Sequence, residues 1–296
     1  YLYGCVPSLV LCMRQNRESQ TLVLESIKEM VLSRGEVFRP FLSDFFVDFS
    51  DGAEIYNSKL SIICALVNGS NAQDALRELQ SYLLGGDPKF VARSVATIGK
   101  IALKNPEVAD ACGNGIIQLC THSYPEVAGE SVAVLKNLID KDPKGKKDIV
   151  LKLVQNYKRM RSPPGRANVL WLAGRYCMVG DELSQVVPEL LRICAKKFLM
   201  ESKLVKLQII SMAASVLHSF PSENHEKLFR YIVDLAWYDE DFDVRDKSRL
   251  FTVMLLGNGP KHGSTGQENL AEKGESKMVF TKEQIDTLLH AENSTL

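Results

Sequence analysis

The chain has 296 residues, of which 45% are apolar and 24% are charged, and this composition is typical of a globular protein with a sizeable core. Thirty-six basic and thirty-six acidic side chains leave no formal net charge, which excludes a general nucleic-acid binder with an overall basic surface. No apolar run approaches the roughly 20 residues needed to cross a bilayer, so no transmembrane segment is predicted. Because the chain begins with Tyr1 and lacks a charged leader followed by a long apolar stretch, we expect a truncated chain without a secretory signal.

Amphipathic helical patterns follow one another from about residue 17 to 256, with apolar residues recurring at i, i+3, i+4 and i+7. No segment keeps the strict alternation of a strand, so the sequence predicts an all-α protein. The first four helices are predicted at about 17–33, 36–48, 53–67 and 72–84. Core packing explains the near-helical spacing of five aromatic residues better than a ligand groove does: Phe38, Phe41, Phe45, Phe46 and Phe49.

A repeat organises the rest of the helical region. Similar helix starts, spaced 37, 39, 38 and 39 residues apart, fall at Pro88, Pro125, Pro164, Ser202 and Asp241. Proline is tolerated in a first helical turn because that N–H has no intrahelical partner. The second helix of each unit is predicted at about 105–121, 143–160, 182–199 and 221–238.

The apolar register agrees with this repeat, since Val95 aligns with Val132, Val169 and Leu207. Another row aligns Ile98, Leu135, Leu172 and Ile210. Two-helix units of this length are typical of HEAT or armadillo-like α-solenoids, in which stacked units share one core. We therefore predict an α-solenoid of antiparallel helix pairs over residues 1–256, repeating every 37–39 residues and forming a right-handed superhelix.

The C-terminal part of the sequence differs in composition. Residues 257–277 are polar and rich in Gly, which predicts a flexible linker. Residues 278–296 are predicted to hold a short amphipathic helix, Val279–Leu289, and a tail.

No pattern of catalytic, cofactor-binding or metal-ligating residues was found. The seven cysteines form no C-x-x-C pair and lie mostly in apolar helical stretches, so buried reduced thiols of a cytosolic protein are expected. The five histidines have no zinc-ligand spacing, and no phosphate-binding glycine loop occurs. We predict a non-enzymatic protein without a cofactor.

A basic stretch lies between Lys141 and Arg166, with nine basic and two acidic residues. Such a cluster can attract anionic lipid headgroups or an acidic partner. Solvated loops, together with a basic helix C-terminus favoured by the macrodipole, explain the same charges. The candidate contacts are Lys144, Lys146, Lys147, Lys158, Arg159 and Arg161.

A second charged block runs from Asp239 to Arg249. In stacked helical repeats such residues usually bond neighbouring turns or helix ends, and a structural role is the simpler interpretation. We expect the two acidic residues to favour a helix N-terminus and one or other of the two arginines to reach a carboxylate on a neighbouring helix. These four residues are Asp243, Arg245, Asp246 and Arg249.

Several short sequence segments resemble those of a known family. The segment Trp237-Tyr238-Asp239 followed by Phe242–Phe251 resembles the Y-D-x-x-x-D-[IV]-R-D-[KR]-x-R-F block of β-adaptin trunks, in the adaptin N-terminal family. Further similar stretches occur in the family's order over about residues 20–255, at Lys59–Asn68, Ala75–Tyr82, Ala96–Lys100, Val127–Val132, Arg166–Ala167, Leu170–Leu172 and Leu204–Ile209. The last of these strings favours the β-adaptins of adaptor protein complex 3. Residues 1–16 resemble no part of the family that we can place.

The resemblance implies a scaffold subunit of a heterotetrameric vesicle-coat adaptor that sorts cargo from the trans-Golgi network or endosomes to the lysosome or vacuole. It implies a second large, a medium and a small adaptor subunit as partners, with recruitment by an Arf-class GTPase to an anionic membrane. The expected location is cytoplasmic and peripheral on Golgi and endosomal membranes. It also implies that the N-terminal repeats of a full trunk and the following hinge and ear lie outside this chain.

Three alternatives remain open at the level of sequence. The chain resembles β subunits of other adaptors and the coatomer γ subunit, which share a similar arginine–aspartate block. A nuclear-transport receptor also uses HEAT solenoids, although acidic inner helices would be expected there.

Overall fold

The computed structural model describes residues 2–13, 17–48, 50–85, 87–142 and 145–257, together with residues 283, 284 and 287. These residues form α-helices joined by turns and 3₁₀ segments, with no strand among them. The chain divides into two compact units, one of Tyr1–Asp142 and Arg159–Gly165, the other of Pro143–Lys158 and Arg166–Leu296. Apart from Gly257 and the three residues near 285, the predicted linker and terminal helix lie outside the described residues.

The described residues of the first unit form seven complete α-helices, of which the third, fifth and seventh stack in sequence. Helix α3 packs against α2 and α5, and α5 packs against α7, while α4 and α6 connect them. The helices are α1 (Leu2–Met13), α2 (Arg17–Arg34), α3 (Ala53–Leu66), α4 (Ala72–Tyr82), α5 (Pro88–Lys104), α6 (Pro106–Leu119) and α7 (Pro125–Lys141).

The second unit continues the same pattern of helix pairs. Helix α11 packs against α10, α12 and α13, and α12 packs against α13. The helices are α8 (Lys147–Asn156), α9 (Pro163–Arg175), α10 (Asp181–Lys197), α11 (Lys203–Ser219), α12 (Glu223–Trp237) and α13 (Phe242–Leu256), with α9 beginning in the last residues of the first unit.

The predicted repeat is confirmed by where the first helix of each pair begins. Helices α5 and α7 begin at Pro88 and Pro125, and α9 begins one residue before Pro164. Ser202 and Asp241 are the N-cap residues of α11 and α13. The aligned apolar residues are buried, with Leu207 only partly so. The chain therefore has the α-solenoid fold expected from its periodicity.

The helix predicted at 36–48 is wrong. That segment forms two 3₁₀ pieces, Gly35–Val37 and Arg39–Phe45, with Phe41 at φ −102° and ψ 18°. Pro40 lacks an N–H and disfavours helical backbone in the residue before it, which interrupts the α-helical pattern here. Phe38 and Phe45 are nevertheless buried in the core, as expected, and Phe41 and Phe46 are only partly buried. Phe49 lies outside the described residues.

Two lysines connect consecutive first helices in the first unit. Lys104, the last residue of α5, donates a 2.9 Å hydrogen bond to the carbonyl oxygen of Cys64 in the last turn of α3. Lys141, at the end of α7, donates to the carbonyl oxygen of Leu103 in α5. Carbonyls in the last turn of a helix lack intrahelical partners, so each lysine satisfies one of them and places a positive charge at a negative helix end.

Glycine shapes the structure at two positions. Gly257 has φ 71° and ends α13 in the left-handed conformation that glycine adopts at little cost. Gly99 of α5 faces Val134 of α7, and a Cβ placed on Gly99 would lie 2.5 Å from Cγ1 of Val134. Helices α5 and α7 can therefore approach this closely only because residue 99 has no side chain.

Candidate functional site

The acidic turn before α13 forms the start of the Asp239–Arg249 block. The Asp241 carboxylate caps α13 by accepting a hydrogen bond from the main-chain N–H of Asp243, at 3.3 Å. Asp243 itself lies in the first turn, where negative charge favours the positive end of the helix dipole, as predicted. Asp246 lies one turn further along the helix.

Among the described residues, Arg245 binds main-chain carbonyls and no carboxylate on a neighbouring helix, which corrects the expectation for this arginine. Its guanidinium donates to two main-chain carbonyl oxygens, that of Asp239 at 2.5 Å and that of Glu240 at 3.0 Å. Both carbonyls belong to the turn that precedes the arginine's own helix. Arg245 therefore holds this turn against α13, which is a structural role of a different kind from the one expected.

Arg249 forms its ion pair with a carboxylate of its own helix. It donates to the carboxylate of Asp246 at 3.2 Å, and both side chains are exposed. Its guanidinium lies 5.1 Å from the centre of the Trp237 ring. An exposed ion pair of this kind contributes little to stability, and the aromatic contact adds about 0.5–1 kcal/mol.

Lysines of α11 connect that helix to the turn before α13. The Nζ of Lys206 lies 2.6 Å from Oδ2 of Asp239, and these side chains are only 14% and 3% exposed. Lys203 pairs with Asp241 at 3.0 Å and with Asp243 at 2.5 Å. The hydrogen bond from Lys203 holds the pKa of Asp241 below its usual value, and the hydrogen bonds to Asp243 and Asp241 raise the pKa of Lys203.

A second ion pair of this type, which the sequence analysis missed, lies one repeat earlier. Arg166 of α9 makes two 2.5 Å hydrogen bonds to the carboxylate of Glu201, in the turn before α11. It also donates to the hydroxyl of Tyr157 at 3.0 Å, and burial raises the pKa of that tyrosine. Arg166 belongs to the basic stretch, but Glu201 neutralises its charge here. The register would have revealed the pair, since Glu201 and Asp239 both lie in turns that precede a first helix.

The basic stretch is less uniform than its composition suggests. Lys146 is 7% exposed, so its side chain is not available to a membrane or partner in this structure. Lys147 and Lys158 are exposed in the second unit, and Arg159 and Arg161 are exposed in the first. Lys144 lies outside the described residues.

The buried cysteines have thiols of low reactivity. Burial raises the pKa of Cys112 and of Cys194 to about 11, and that of Cys120 to about 12. Because the thiolate is the reactive form, these thiols stay protonated and inert near neutral pH. Cys12 departs from the expectation of burial, since it is exposed. No group of His, Cys, Asp or Glu within the described part of the chain could hold a metal ion.

Two further observations concern membranes and the class of fold. Among the described helices, none combines the length and the apolar content required to span a bilayer. Stacked helix pairs, in which each repeat contacts its neighbours, define the chain as a helical-repeat protein.

Comparison with known proteins shows the family. The family model described as the adaptin N-terminal region matches residues 2–259, and the chain belongs to this family. The match includes residues 2–16, although the sequence of residues 1–16 alone shows no resemblance to the family.

The most similar relatives include β subunits of one adaptor complex. The chain is 36% identical over 251 residues to mouse AP-3 complex subunit beta-1, covering 85% of this chain and 22% of that protein. It is 35% identical over 249 residues to mouse AP-3 complex subunit beta-2, covering 84% and 23%. Mouse AP-1 complex subunit beta-1 is 28% identical over 250 residues, covering 84% and 26%. The chain thus spans about a quarter of the length of these relatives.

A structural comparison agrees on the fold. A chain in a homology model of the full-length AP-3 complex in an intermediate open conformation superposes with a TM-score of 0.72 at 19% identity. The match covers 86% of this chain and 46% of that chain. At this identity the likeness concerns the fold alone.

Proposed function

We propose that this chain is part of the trunk of a β subunit in an AP-3-type coat adaptor and acts as a scaffold without catalytic activity. The observation that carries the proposal is the 35–36% identity to AP-3 β subunits over 84–85% of the chain, against 28% to an AP-1 β subunit. This difference favours the third adaptor complex over the other adaptors, and family membership favours an adaptor over a nuclear-transport receptor.

The partners in this proposal are the second large, the medium and the small subunit of the adaptor. A helical-repeat scaffold offers long surfaces for such partners, because each repeat exposes one side of its helices. The proposed location is the cytoplasmic side of Golgi and endosomal membranes, with peripheral attachment. The proposed role is cargo sorting in transport to the lysosome or vacuole.

Recruitment to membranes is proposed to involve an Arf-class GTPase and an anionic lipid surface. Four exposed candidate contacts in the basic stretch, Lys147, Lys158, Arg159 and Arg161, support the lipid part of this proposal. The chain as a whole has no formal net charge, so any attraction must come from a local cluster.

Co-expression tests the proposed function. The tagged 296-residue chain would be produced with the second large, medium and small subunits of AP-3, and in parallel with those of AP-1. We expect a complex that survives affinity purification and size-exclusion chromatography with the AP-3 set, and weaker recovery of the AP-1 set. A folded chain, verified by circular dichroism, that recovers neither set or prefers the AP-1 set contradicts the proposal.

A further inference from the structure

A groove runs between α3 and α5 in the first unit. It encloses about 250 Å³ and is lined from α3 by Asn57, Leu60, Ser61 and Cys64, and from α5 by Arg93, Ala96, Thr97 and Lys100. These positions follow the i, i+3, i+4 and i+7 spacing of one helix face on each side. Most of the lining side chains are small, which leaves the groove open between its two cations.

The two cations of α5 that line the groove have no acidic partner there. The helix carries four basic residues and no acidic ones. Lys104 is engaged with the Cys64 carbonyl, whereas the exposed side chains of Arg93 and Lys100 have no ion-pair or hydrogen-bond partner among the described residues. The equivalent positions of α7 are Glu130 and Asn137, so the positive charge is specific to this groove and is not a general feature of the repeat.

Polar groups that can bind a peptide main chain lie beside these cations. The half-buried amide of Asn57 has no hydrogen-bond partner among the described residues, and it offers one acceptor and two donor hydrogens. The hydroxyl of the exposed Ser61 donates to a carbonyl of its own helix at 2.8 Å, so its oxygen remains free to accept a hydrogen bond from an N–H group. Thr97 is buried, and its hydroxyl donates to the carbonyl oxygen of Arg93 at 2.9 Å.

The spacing of the cations indicates the shape of the ligand. Arg93 and Lys100 are seven residues apart on α5, about 10 Å along the helix axis. A polyproline II chain rises about 3.1 Å per residue with three residues per turn, so side chains three residues apart lie on one face about 9 Å apart.

We propose that the α3–α5 groove binds an extended acidic segment of a partner protein, with two carboxylates three residues apart that pair with Arg93 and Lys100. A planar lipid surface does not match this site, because the polar groups line a groove between two helices. The proposal goes beyond coat assembly and does not depend on it.

Fluorescence anisotropy tests the proposal. The probe is a fluorescein-labelled ten-residue peptide with two Glu residues separated by two Pro residues, and the control peptide has Gln in place of Glu. We expect the full chain to bind the Glu peptide, and the Arg93→Gln/Lys100→Gln variant to bind it about tenfold more weakly or worse. The matched control, Lys28→Gln/Arg34→Gln, removes the same charge from exposed positions of α2 and should leave the affinity within about twofold of the parent.

Three results would overturn the proposal. One is an unchanged affinity in the Arg93→Gln/Lys100→Gln variant, and another is an equal loss in the control variant. The third is that the Arg93→Gln/Lys100→Gln variant loses binding to phosphatidylserine vesicles but still binds the peptide, which would assign the cations to a membrane. Thermal melts followed by circular dichroism establish that each variant is folded, as expected for substitutions of exposed side chains.

Discussion

At the scale of single residues, Gly99 determines how closely two helices pack. A Cβ on residue 99 would lie 2.5 Å from Cγ1 and 2.7 Å from Cγ2 of Val134, closer than non-bonded carbon atoms approach. Val134 is buried and β-branched, so it has little freedom to move to another rotamer. Even one added methyl group must therefore shift the helices or strain the side chain.

We predict that Gly99→Ala lowers the free energy of unfolding by about 1–3 kcal/mol, as overpacking does in well-packed cores. The control is Gly115→Ala in α6, where a Cβ would meet no atom within 4 Å. This second substitution should raise the free energy of unfolding by about 0.5–1 kcal/mol, because alanine loses less backbone entropy in a helix. Denaturant titration of both variants measures the sign of each change in the free energy of unfolding. If both variants gain stability, the close contact between α5 and α7 is wrong.

Arg245 provides the second prediction at this scale. Arg245→Ala leaves the carbonyls of Asp239 and Glu240 without their charged donor, and we expect a loss of roughly 1–2 kcal/mol. Arg249→Ala, which removes an exposed pair, should cost less than about 1 kcal/mol. A variant at position 245 that unfolds like the parent protein and yet fails to recover adaptor subunits would assign this arginine to a binding surface instead.

The difference between the expected and observed partners of Arg245 has a simple physical origin. The charge pattern predicted correctly that Asp243 lies in the first turn of a helix. It could not predict the acceptors of Arg245, because main-chain carbonyls are present at every residue and leave no mark in the sequence. The burial of Lys146 is of the same kind, since a lysine in a basic loop looks the same in sequence whether it is exposed or buried.

At the scale of helices and turns, ion pairs connect one repeat of the second unit to the next. Arg166 of α9 binds Glu201 before α11, and Lys206 of α11 binds Asp239 before α13. In each pair the acid lies in the turn that begins the following repeat. Because these side chains are largely buried, leaving either partner alone places an uncompensated charge where water reaches it poorly.

We predict that Asp239→Asn or Lys206→Met lowers the free energy of unfolding by roughly 3 kcal/mol, and that the double variant loses less than the sum of the two. The exposed pair of Lys227 and Glu223 in α12 is the control, and its loss should be within about 0.5 kcal/mol. A double-mutant cycle in urea measures both coupling energies. Equal coupling in the two pairs would mean that the turn before α13 is more solvated than its burial indicates.

The order of helices was predictable because apolar residues recur with both the helical and the repeat period. The apolar register, the proline positions and the capping residues correctly predicted where α5, α7, α11 and α13 begin. The segment 36–48 was not predictable in this way, since five aromatic residues kept a helical spacing while Pro40 interrupted the hydrogen bonds. Apolar spacing records which residues are buried, and 3₁₀ turns can bury the same residues.

At the scale of the whole molecule, electrostatic attraction has to come from local clusters, because 36 basic and 36 acidic side chains cancel. The exposed cations of the basic stretch form one such cluster in sequence, and they are divided between the two compact units. Each lysine or arginine near an anionic membrane contributes about 1 kcal/mol, and salt screens this attraction within about 10 Å at 0.1 M.

We predict that the chain binds phosphatidylserine vesicles weakly at low salt through Lys147, Lys158, Arg159 and Arg161, and that replacing all four with Gln abolishes most of this binding in a sedimentation assay. A control variant removes four equally exposed charges elsewhere, at Lys28, Arg34, Lys196 and Lys197, and should retain most of the binding. Lys146→Gln should leave vesicle binding unchanged, because its side chain is buried. Equal losses in the two fourfold variants would mean that the membrane responds to total charge, and the basic stretch would then be a set of solvated loops.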